Sequence, residues 1–258
     1  MSLPIWTAAA LRSESRSYSG HAWRLVEAQH RVSTLKLVDS LAEQLALEDI
    51  LEASKPPLPE ECRHLDYLLA TPFRYRPYPA GSRFRRAGLS KGVWYGAESP
   101  ETAAAEMVFY RFLFYAESPD TPFPDDAAEY TAFSAQVASP VSLDLTVGAL
   151  AKDQSNWADP VVYDACQALA DEARSLGVEL IRYKSVRDPE CRANLAVLSC
   201  RAFASPLPLE RQTWRIRLSP GGAQALREHP RLGIEFGREA FAADPRLAGM
   251  TWSRPRAK

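Results

Sequence analysis

The sequence lacks several patterns on which common activities depend. It contains no Gly-rich dinucleotide fingerprint and no phosphate-binding GxxxxGK loop, so nucleotide binding through those two motifs is not supported. The four cysteines show no CxxC spacing and do not cluster with the four histidines. This distribution argues against a zinc site and gives no disulfide framework. The sequence therefore predicts reduced thiols and no bound metal.

Long apolar runs and an excess of one charge are absent as well. No run of about 18 apolar residues occurs, which excludes a spanning helix, and the N-terminal residues show no secretory signal. With 31 basic and 32 acidic side chains, the chain has no overall field to hold a nucleic-acid backbone or an anionic membrane. We expect a cytoplasmic protein that contacts neither directly, and any anion recognition must be local.

The composition is that of a globular protein, with 46% apolar and 24% charged residues. Residues 33–53 predict a helix, capped by Ser33 or Thr34, that the prolines of KPPLPEE bring to an end. We therefore expect residues 1–60 to form a helical N-terminal extension. Residues 61–258 are then expected to form the main domain.

The remainder of the chain predicts short strands and few helices. Ser99 and Pro100 suit the first positions of a helix that follows a strand at 92–97. A second helix is predicted over 159–177, with Asp159 as its cap. Further strands are predicted at 129–137, 142–146, 178–183, 194–203 and 213–218. This mixed order favours an α+β fold over a regular βαβ parallel sheet.

One short stretch, TPFRYRPYPAGSRFRR at 71–86, concentrates arginine. Its five arginines are Arg74, Arg76, Arg83, Arg85 and Arg86. An arginine fork matches phosphate geometry, and a glycine lets the backbone approach a ligand closely. Tyr75 and Phe84 would suit a flat heterocycle beside the arginines. The alternative interpretation is a surface loop whose arginines pair with some of the carboxylates.

Three other residues are candidates for chemistry. Glu106 is the only carboxylate in the run TAAAEMVFYRF, and it points either into a cleft or to solvent beside Arg111. Tyr95, at the end of a predicted strand, is a ligand contact or a core aromatic. Ser185, in YKSVRDPECRAN, is a ligand donor or a turn serine. No His/Asp arrangement around Ser185 indicates a catalytic triad.

The order of these residues resembles the RES-domain family, which is named for its Arg, Glu and Ser. The resemblance covers about residues 65–205. The family's positions match Arg74, Tyr75, Gly81, Ser82, Arg83, Phe84, Tyr95, Glu106, Ser185 and Asn194. Two departures stand out, because Ser82 replaces the usual second glycine and Lys184 stands where a proline is more familiar.

The resemblance implies an α+β core similar to the ADP-ribosyltransferase toxins, and an enzyme with NAD as its substrate. Members cleave the nicotinamide–ribose bond, by phosphorolysis or hydrolysis, or pass ADP-ribose to a protein. The implied catalytic residues are Glu106, Arg74 and Ser185. The implied NAD-binding residues are Arg74, Tyr75, Arg83, Phe84, Tyr95, Ser185 and Asn194.

The resemblance also implies a partner, because members are toxins of Xre-type toxin–antitoxin pairs in bacteria. We expect an Xre-type antitoxin that covers the cleft. The N-terminal extension could widen that interface or support self-association as a homo-oligomer.

Three other functions compete with NAD cleavage. Transfer of ADP-ribose to a protein uses the same NAD site and differs only in the acceptor. A non-catalytic module would bind a nucleic acid or another ligand with the loop 74–86, although near-neutral charge counts against nucleic acid. A two-carboxylate glycosidase would need a partner for Glu106, and the sequence offers no convincing one.

Overall fold

A computed structural model describes residues 6–27, 37–74, 79–88 and 91–254. Its helices are α1 (Ala8–Glu14), α2 (Leu41–Ser54), α3 (Tyr67–Arg74), α4 (Pro100–Glu117), α5 (Gln154–Trp157), α6 (Asp164–Ser175) and α7 (Pro245–Ala248). Its strands are β1 (Arg16–Glu27), β2 (Trp94–Ala97), β3 (Ala128–Asp144), β4 (Leu180–Lys184), β5 (Ala193–Val197), β6 (Arg211–Ser219), β7 (Gly222–Arg227) and β8 (Leu232–Gly237). The predicted mixed α+β composition is confirmed.

The strands form one sheet that closes partly on itself. Its order is β1-β2-β5-β4-β3-β6-β7-β8, and β1 also pairs with β3, so β1, β2, β5, β4 and β3 form a ring. Most pairs are antiparallel, and β3–β4 is parallel, with Leu143 opposite Ile181. Strands β6 to β8 extend the sheet beyond β3 as an antiparallel meander.

Apolar side chains fill both the ring and the spaces outside it. One buried cluster takes residues from all five ring strands, including Ala22, Trp94, Phe133, Leu180 and Leu195. A second cluster packs α6 on the outer face of β4, and a third packs α4 against β1 and β6. Apolar clusters therefore pack on both sides of the sheet and position the strands that carry the site.

Helix α4 has the start that its sequence predicts. Ser99 accepts a hydrogen bond from the backbone N–H of Thr102, and Pro100 occupies the first helical turn. Val108, Phe109 and Phe112 are fully buried in the core. The buried face fixes the rotation of the helix about its axis, and this rotation decides where Glu106 points.

The N-terminal segment differs from the predicted helical extension. Residues 16–27 form β1, which pairs with β3 from Arg16 to Glu27. The helix predicted over 33–53 is α2, which begins at Leu41 with Ser40 as its cap, and the predicted caps Ser33 and Thr34 lie outside the described residues. The segment 1–60 is therefore helical only in part, and the boundary at residue 60 stays a prediction.

Other elements also begin or end elsewhere than predicted. The strand predicted over 194–203 is β5, which ends at Val197 and is followed by a short 3-10 helix at Cys200–Ala202. Helix α6 starts at Asp164, because the Asp159 side chain accepts the N–H groups of Val161 and Val162 in a turn of its own. The strands predicted at 129–137 and 142–146 are one strand, β3. A register shift between Arg16 and Tyr18 of β1 indicates a bulge where Pro140 interrupts the ladder. Strands β7 and β8 were not predicted.

Candidate functional site

A cavity of about 920 Å³ opens between α4 and the outer face of β2, β5 and β4. Its walls include Tyr95 of β2, Glu106 of α4, Tyr183 of β4 and Asn194 of β5, together with the segment 81–85. The antiparallel pairs β2–β5 and β5–β4 bring the three strand residues onto one surface. The cavity therefore unites residues that are far apart in the sequence.

Glu106 is fixed by two hydrogen bonds to a single carboxylate oxygen. Its Oε1 accepts from the hydroxyl of Ser185 at 2.7 Å and from Nδ2 of Asn194 at 2.6 Å. Oε2 receives no hydrogen bond from the residues that the structure describes, so it remains available to a ligand in the cavity. Two donors on one oxygen hold the carboxylate in a single orientation.

The turn after β4 holds Ser185 in place. Ser185 is fully buried, and its Oγ accepts the N–H groups of Arg187 and Asp188 while donating to Glu106. Asp188 in turn accepts from the hydroxyl of Thr102, in the first turn of α4, and from the guanidinium of Arg192. This network ties the turn to the same helix that carries Glu106.

The carboxylate of Asp188 is held in its charged form. Burial alone would raise the pKa of Asp188, but the hydrogen bonds from Arg192 and Thr102 outweigh burial and lower it. Because its side chain is completely buried, the charge depends on these partners for its stability.

Arg83 offers an unpaired donor at the cavity. The residue is 6% exposed, and its Nη1 donates to the carbonyl of Trp157 at 2.5 Å. Its Nη2 is buried without a partner among the described residues. The guanidinium lies 4.8 Å from the ring centre of Tyr163 and 6.0 Å from that of Tyr183. A buried donor without a partner is costly, and a bound anion would supply the missing acceptor.

Tyr95 holds the segment that carries Arg83. Its hydroxyl lies 2.9 Å from Oγ of Ser82 and accepts the N–H of Phe84 at 3.0 Å. Burial raises the pKa of Tyr95, which keeps the hydroxyl protonated at neutral pH. Ser82 therefore uses its side chain to position the segment, a contact that a second glycine would not make.

A buried ion network forms another part of the wall. Arg187 donates to the carbonyl of Pro160 at 2.9 Å, to the hydroxyl of Tyr163 at 3.1 Å and to Asp244 at 3.4 Å. Arg246 donates to both oxygens of Asp244. Burial raises the pKa of Asp244, but the hydrogen bonds of Arg246 more than compensate and lower it.

The structure does not bring every predicted site residue into the cavity. Arg74 donates to Glu52 at 2.5 Å, and this hydrogen bond, followed by that of Lys55, lowers the pKa of Glu52 to about 2. Phe84 is 1% exposed and packs in the core against Tyr183. Tyr75 lies outside the described residues.

Ser185 does not line the cavity. The contacts described above hold its hydroxyl against Glu106, and its predicted role as a ligand contact stays a prediction. Arg83, Tyr95, Glu106 and Asn194 do line the cavity together. Oδ1 of Asn194 is buried and has no partner within the described ranges, so this side chain has an acceptor to offer.

Sequence reasoning missed several residues of the wall, among them Tyr163, Tyr183, Arg187 and Arg246. Arg187 follows Ser185 by two positions, so the quoted motif contained it. Tyr163 stands just before α6, where the wrongly placed helix start concealed it. Arg246 lies in the four-residue helix α7, which has too few residues to show a period.

The charge of the cavity wall is strongly positive. Glu106 is the one carboxylate among the described residues that line it. The cationic side chains on the wall are Arg24, Lys55, Arg83, Arg85, Arg187 and Arg246. Because the whole chain carries a net charge of −1, this local excess is a property of the site and favours an anionic ligand.

Comparisons with known proteins identify the family. The family model of the RES domain matches residues 58–219, and the chain belongs to that family. Among solved structures, one similar chain comes from the MbcT–MbcA toxin–antitoxin complex of M. tuberculosis. That match has a TM-score of 0.45 and 14% identity, and it covers 91% of this chain and 96% of the other. A comparison with curated proteins gives no match.

The described part of the chain contains neither a candidate membrane-spanning helix nor a cluster of metal-ligating side chains. None of its helices combines the length and the apolar character needed to cross a membrane. It holds no group of three or more His, Cys, Asp or Glu side chains placed to share a metal ion.

Proposed function

We propose that this protein cleaves NAD at the nicotinamide–ribose bond. The observation that supports this most strongly is Glu106, a single oriented carboxylate in a cavity whose other charged wall residues are cations. A dinucleotide combines a diphosphate, which needs cations, with a ribose at which positive charge develops during cleavage. The two requirements meet in one cavity.

The reaction needs charge stabilisation more than proton transfer. When the bond between ribose C1′ and nicotinamide breaks, its electron pair goes to the ring nitrogen, and nicotinamide leaves as a neutral molecule. The ribose carbon then carries positive charge, as in glycoside cleavage. Oε2 of Glu106 would stabilise that charge or hold the 2′-hydroxyl, and its fixed orientation removes the cost of reorganisation.

The remaining wall residues would bind and orient the substrate. Nη2 of Arg83 would donate to the diphosphate, and Oδ1 of Asn194 would accept from the nicotinamide carboxamide. The ring of Tyr95 would pack against the nicotinamide end. Arg74 and Tyr75 stay candidate ligands in this proposal, although Arg74 would first have to leave Glu52. The same proposal includes a core similar to that of the ADP-ribosyltransferase toxins.

The acceptor decides the product. With phosphate, an oxygen of phosphate forms the new bond to C1′ and the product is a phosphorylated ADP-ribose. With water, the product is ADP-ribose and a proton is released. Transfer to a protein side chain is the alternative that the same cavity would support.

The proposal includes a protein partner, since an enzyme that consumes NAD must be restrained in its own cell. We expect an Xre-type antitoxin and a cytoplasmic location. Helix α2 supports a partner, because Leu41, Leu45 and Ile50 are at least 64% exposed, and apolar side chains around most of a helix are usually covered. A pull-down from the host that yields no such protein would count against this part.

The decisive test is incubation of the purified protein with NAD, with and without phosphate, while nicotinamide release is followed. We expect release by the wild type and a loss of at least about a hundredfold in Glu106→Gln, the scale typical of an oriented transition-state group. Glu117→Gln, at the exposed end of the same helix, is the matched control. Unchanged NAD under every condition overturns the proposal, and labelled NAD with host lysate then tests transfer to protein.

A further inference from the structure

We infer that Arg187 and Arg246 form a subsite for a phosphate group, built in part by the C-terminal segment of the chain. The inference rests on the proposed function, because it names where that cavity would hold phosphate. The two guanidinium groups line the cavity together with Tyr163. Arg246 and its partner Asp244 lie beyond residue 219, where the match to the RES-domain model ends.

The first support is the charge of this part of the wall. Arg187, Arg246 and Asp244 carry two positive charges and one negative charge, so the network keeps a net positive charge after internal pairing. Asp244 has a side-chain exposure of 7% and Arg187 of 5%. Arg246 has a side-chain exposure of 30%, so the surplus positive charge remains accessible to an anion in the cavity.

The second support is the hydrogen bonds that remain unmade. Within the part of the chain that the structure describes, Arg187 donates only through Nη2, and its Nε is buried without a partner. Arg246 donates through Nε and Nη2. Among the described residues, neither Nη1 atom has an acceptor, so each guanidinium retains donors of the kind that bind a phosphate oxygen.

The third support is the rigidity of the pair. The guanidinium carbons of Arg187 and Arg246 lie 4.7 and 5.1 Å from the ring centre of Phe109. Both also donate to the carbonyl of Pro160, at 2.9 and 3.2 Å. Two long side chains held in this way lose little freedom when an anion binds, which favours affinity.

The position of the proposed subsite relative to Glu106 connects it with the proposed reaction. Phe109 follows Glu106 by three residues on α4, about one helical turn. Ser185 connects the two groups from the other side, because it donates to Glu106 and accepts the backbone N–H of Arg187. A phosphate on the arginine pair would therefore lie next to the carboxylate.

The phosphate could come from two sources, the diphosphate of the dinucleotide or free inorganic phosphate. Binding is measured by calorimetry in the Glu106→Gln background, which prevents turnover, with three ligands used separately: inorganic phosphate, NAD and nicotinamide riboside. The test variants are Arg246→Ala and Arg187→Lys, the latter because removal of a buried charge beside Asp244 threatens folding. Arg217→Ala, an exposed arginine of β6, is the matched control.

We expect Arg246→Ala to lower the affinity for one phosphate-containing ligand by at least about tenfold, the scale of a charge-assisted contact. Weaker binding of inorganic phosphate alone identifies a subsite for free phosphate. Weaker binding of NAD, with unchanged binding of nicotinamide riboside, identifies a subsite for the diphosphate. Affinities that match the parent for both phosphate ligands, in both folded variants, overturn the inference.

Nicotinamide release by the wild type separates this inference from the proposed function. If the wild type leaves NAD intact while phosphate binding still depends on Arg246, the proposed function fails and the subsite stands. If the wild type cleaves NAD while both arginine variants bind like the parent, the subsite alone fails.

Discussion

The hydroxyl of Ser185 donates to Oε1 of Glu106 across 2.7 Å, although the two residues are 79 positions apart. The hydroxyl is buried behind the carboxylate and does not line the cavity. Its effect on chemistry therefore passes through Glu106.

Replacing Ser185 by Ala should lower kcat and leave KM for NAD nearly unchanged. A hydrogen bond to a charged group contributes about 1.5–3 kcal/mol, which corresponds to roughly a ten- to hundredfold fall in rate. Steady-state nicotinamide release measures both constants. A rise in KM with constant kcat would instead make Ser185 a ligand contact. Ser175→Ala, on the surface of α6, controls for loss of a serine elsewhere.

Arg83→Lys should raise KM for NAD by about tenfold, because a lysine keeps the charge but loses the planar fork held by Trp157. Arg86 lies in the same segment and pairs with Asp171 on the surface, so Arg86→Lys serves as the control. Arg74→Ala should have the smaller effect, since Arg74 pairs with Glu52. An equal or larger rise for Arg74→Ala would show that it leaves Glu52 when NAD binds.

Acid should destabilise the protein partly through Asp188. Its pKa is lower in the folded chain than the ordinary aspartate value of about 3.9. The stabilisation is therefore fully present above about pH 4 and is lost as the pH falls through the folded-state pKa. We expect Tm to drop more steeply below about pH 4 in the wild type than in Asp188→Asn. Parallel curves for the two proteins would contradict a role for this carboxylate.

Gly92→Ala should destabilise the fold, because an added Cβ would collide with the carbonyl of Pro72 in α3. The neighbour is backbone, so relief requires movement of α3, and we expect a loss of about 1–3 kcal/mol in the free energy of unfolding. Gly249→Ala meets nothing within 4 Å and is the matched control. Urea denaturation measures both, and equal midpoints would refute the predicted collision.

The parts of the fold that sequence predicted best have local causes. Helix α4 was predicted almost to the residue because Ser99 and Pro100 act within the first turn. Strand β1 was missed because its signal is not local. Ala22 is buried inside the ring and Trp23 against α4, so both faces are covered and the alternation that marks a half-exposed strand is weak.

The same distinction between local and non-local causes applies to the residues of the candidate site. Glu106 was found as the only carboxylate of its helical run and Tyr95 from its place at the end of a predicted strand, and both line the cavity. Arg246 could not be found, because only tertiary packing places it in the cavity wall. Its guanidinium there donates to the carbonyl of Pro160 and to Asp244. The burial of Ser185 could not be predicted either, because its motif does not reveal that the hydroxyl faces Glu106.

The position of Asp244 limits how this chain can be divided. A fragment covering the matched region, residues 58–219, would lose the strand that closes the ring with β3 and the carboxylate that faces Arg187. That arginine would be left as a buried charge without its acidic neighbour, which costs several kcal/mol. Expression of the matched region by itself should therefore yield an insoluble or unfolded product.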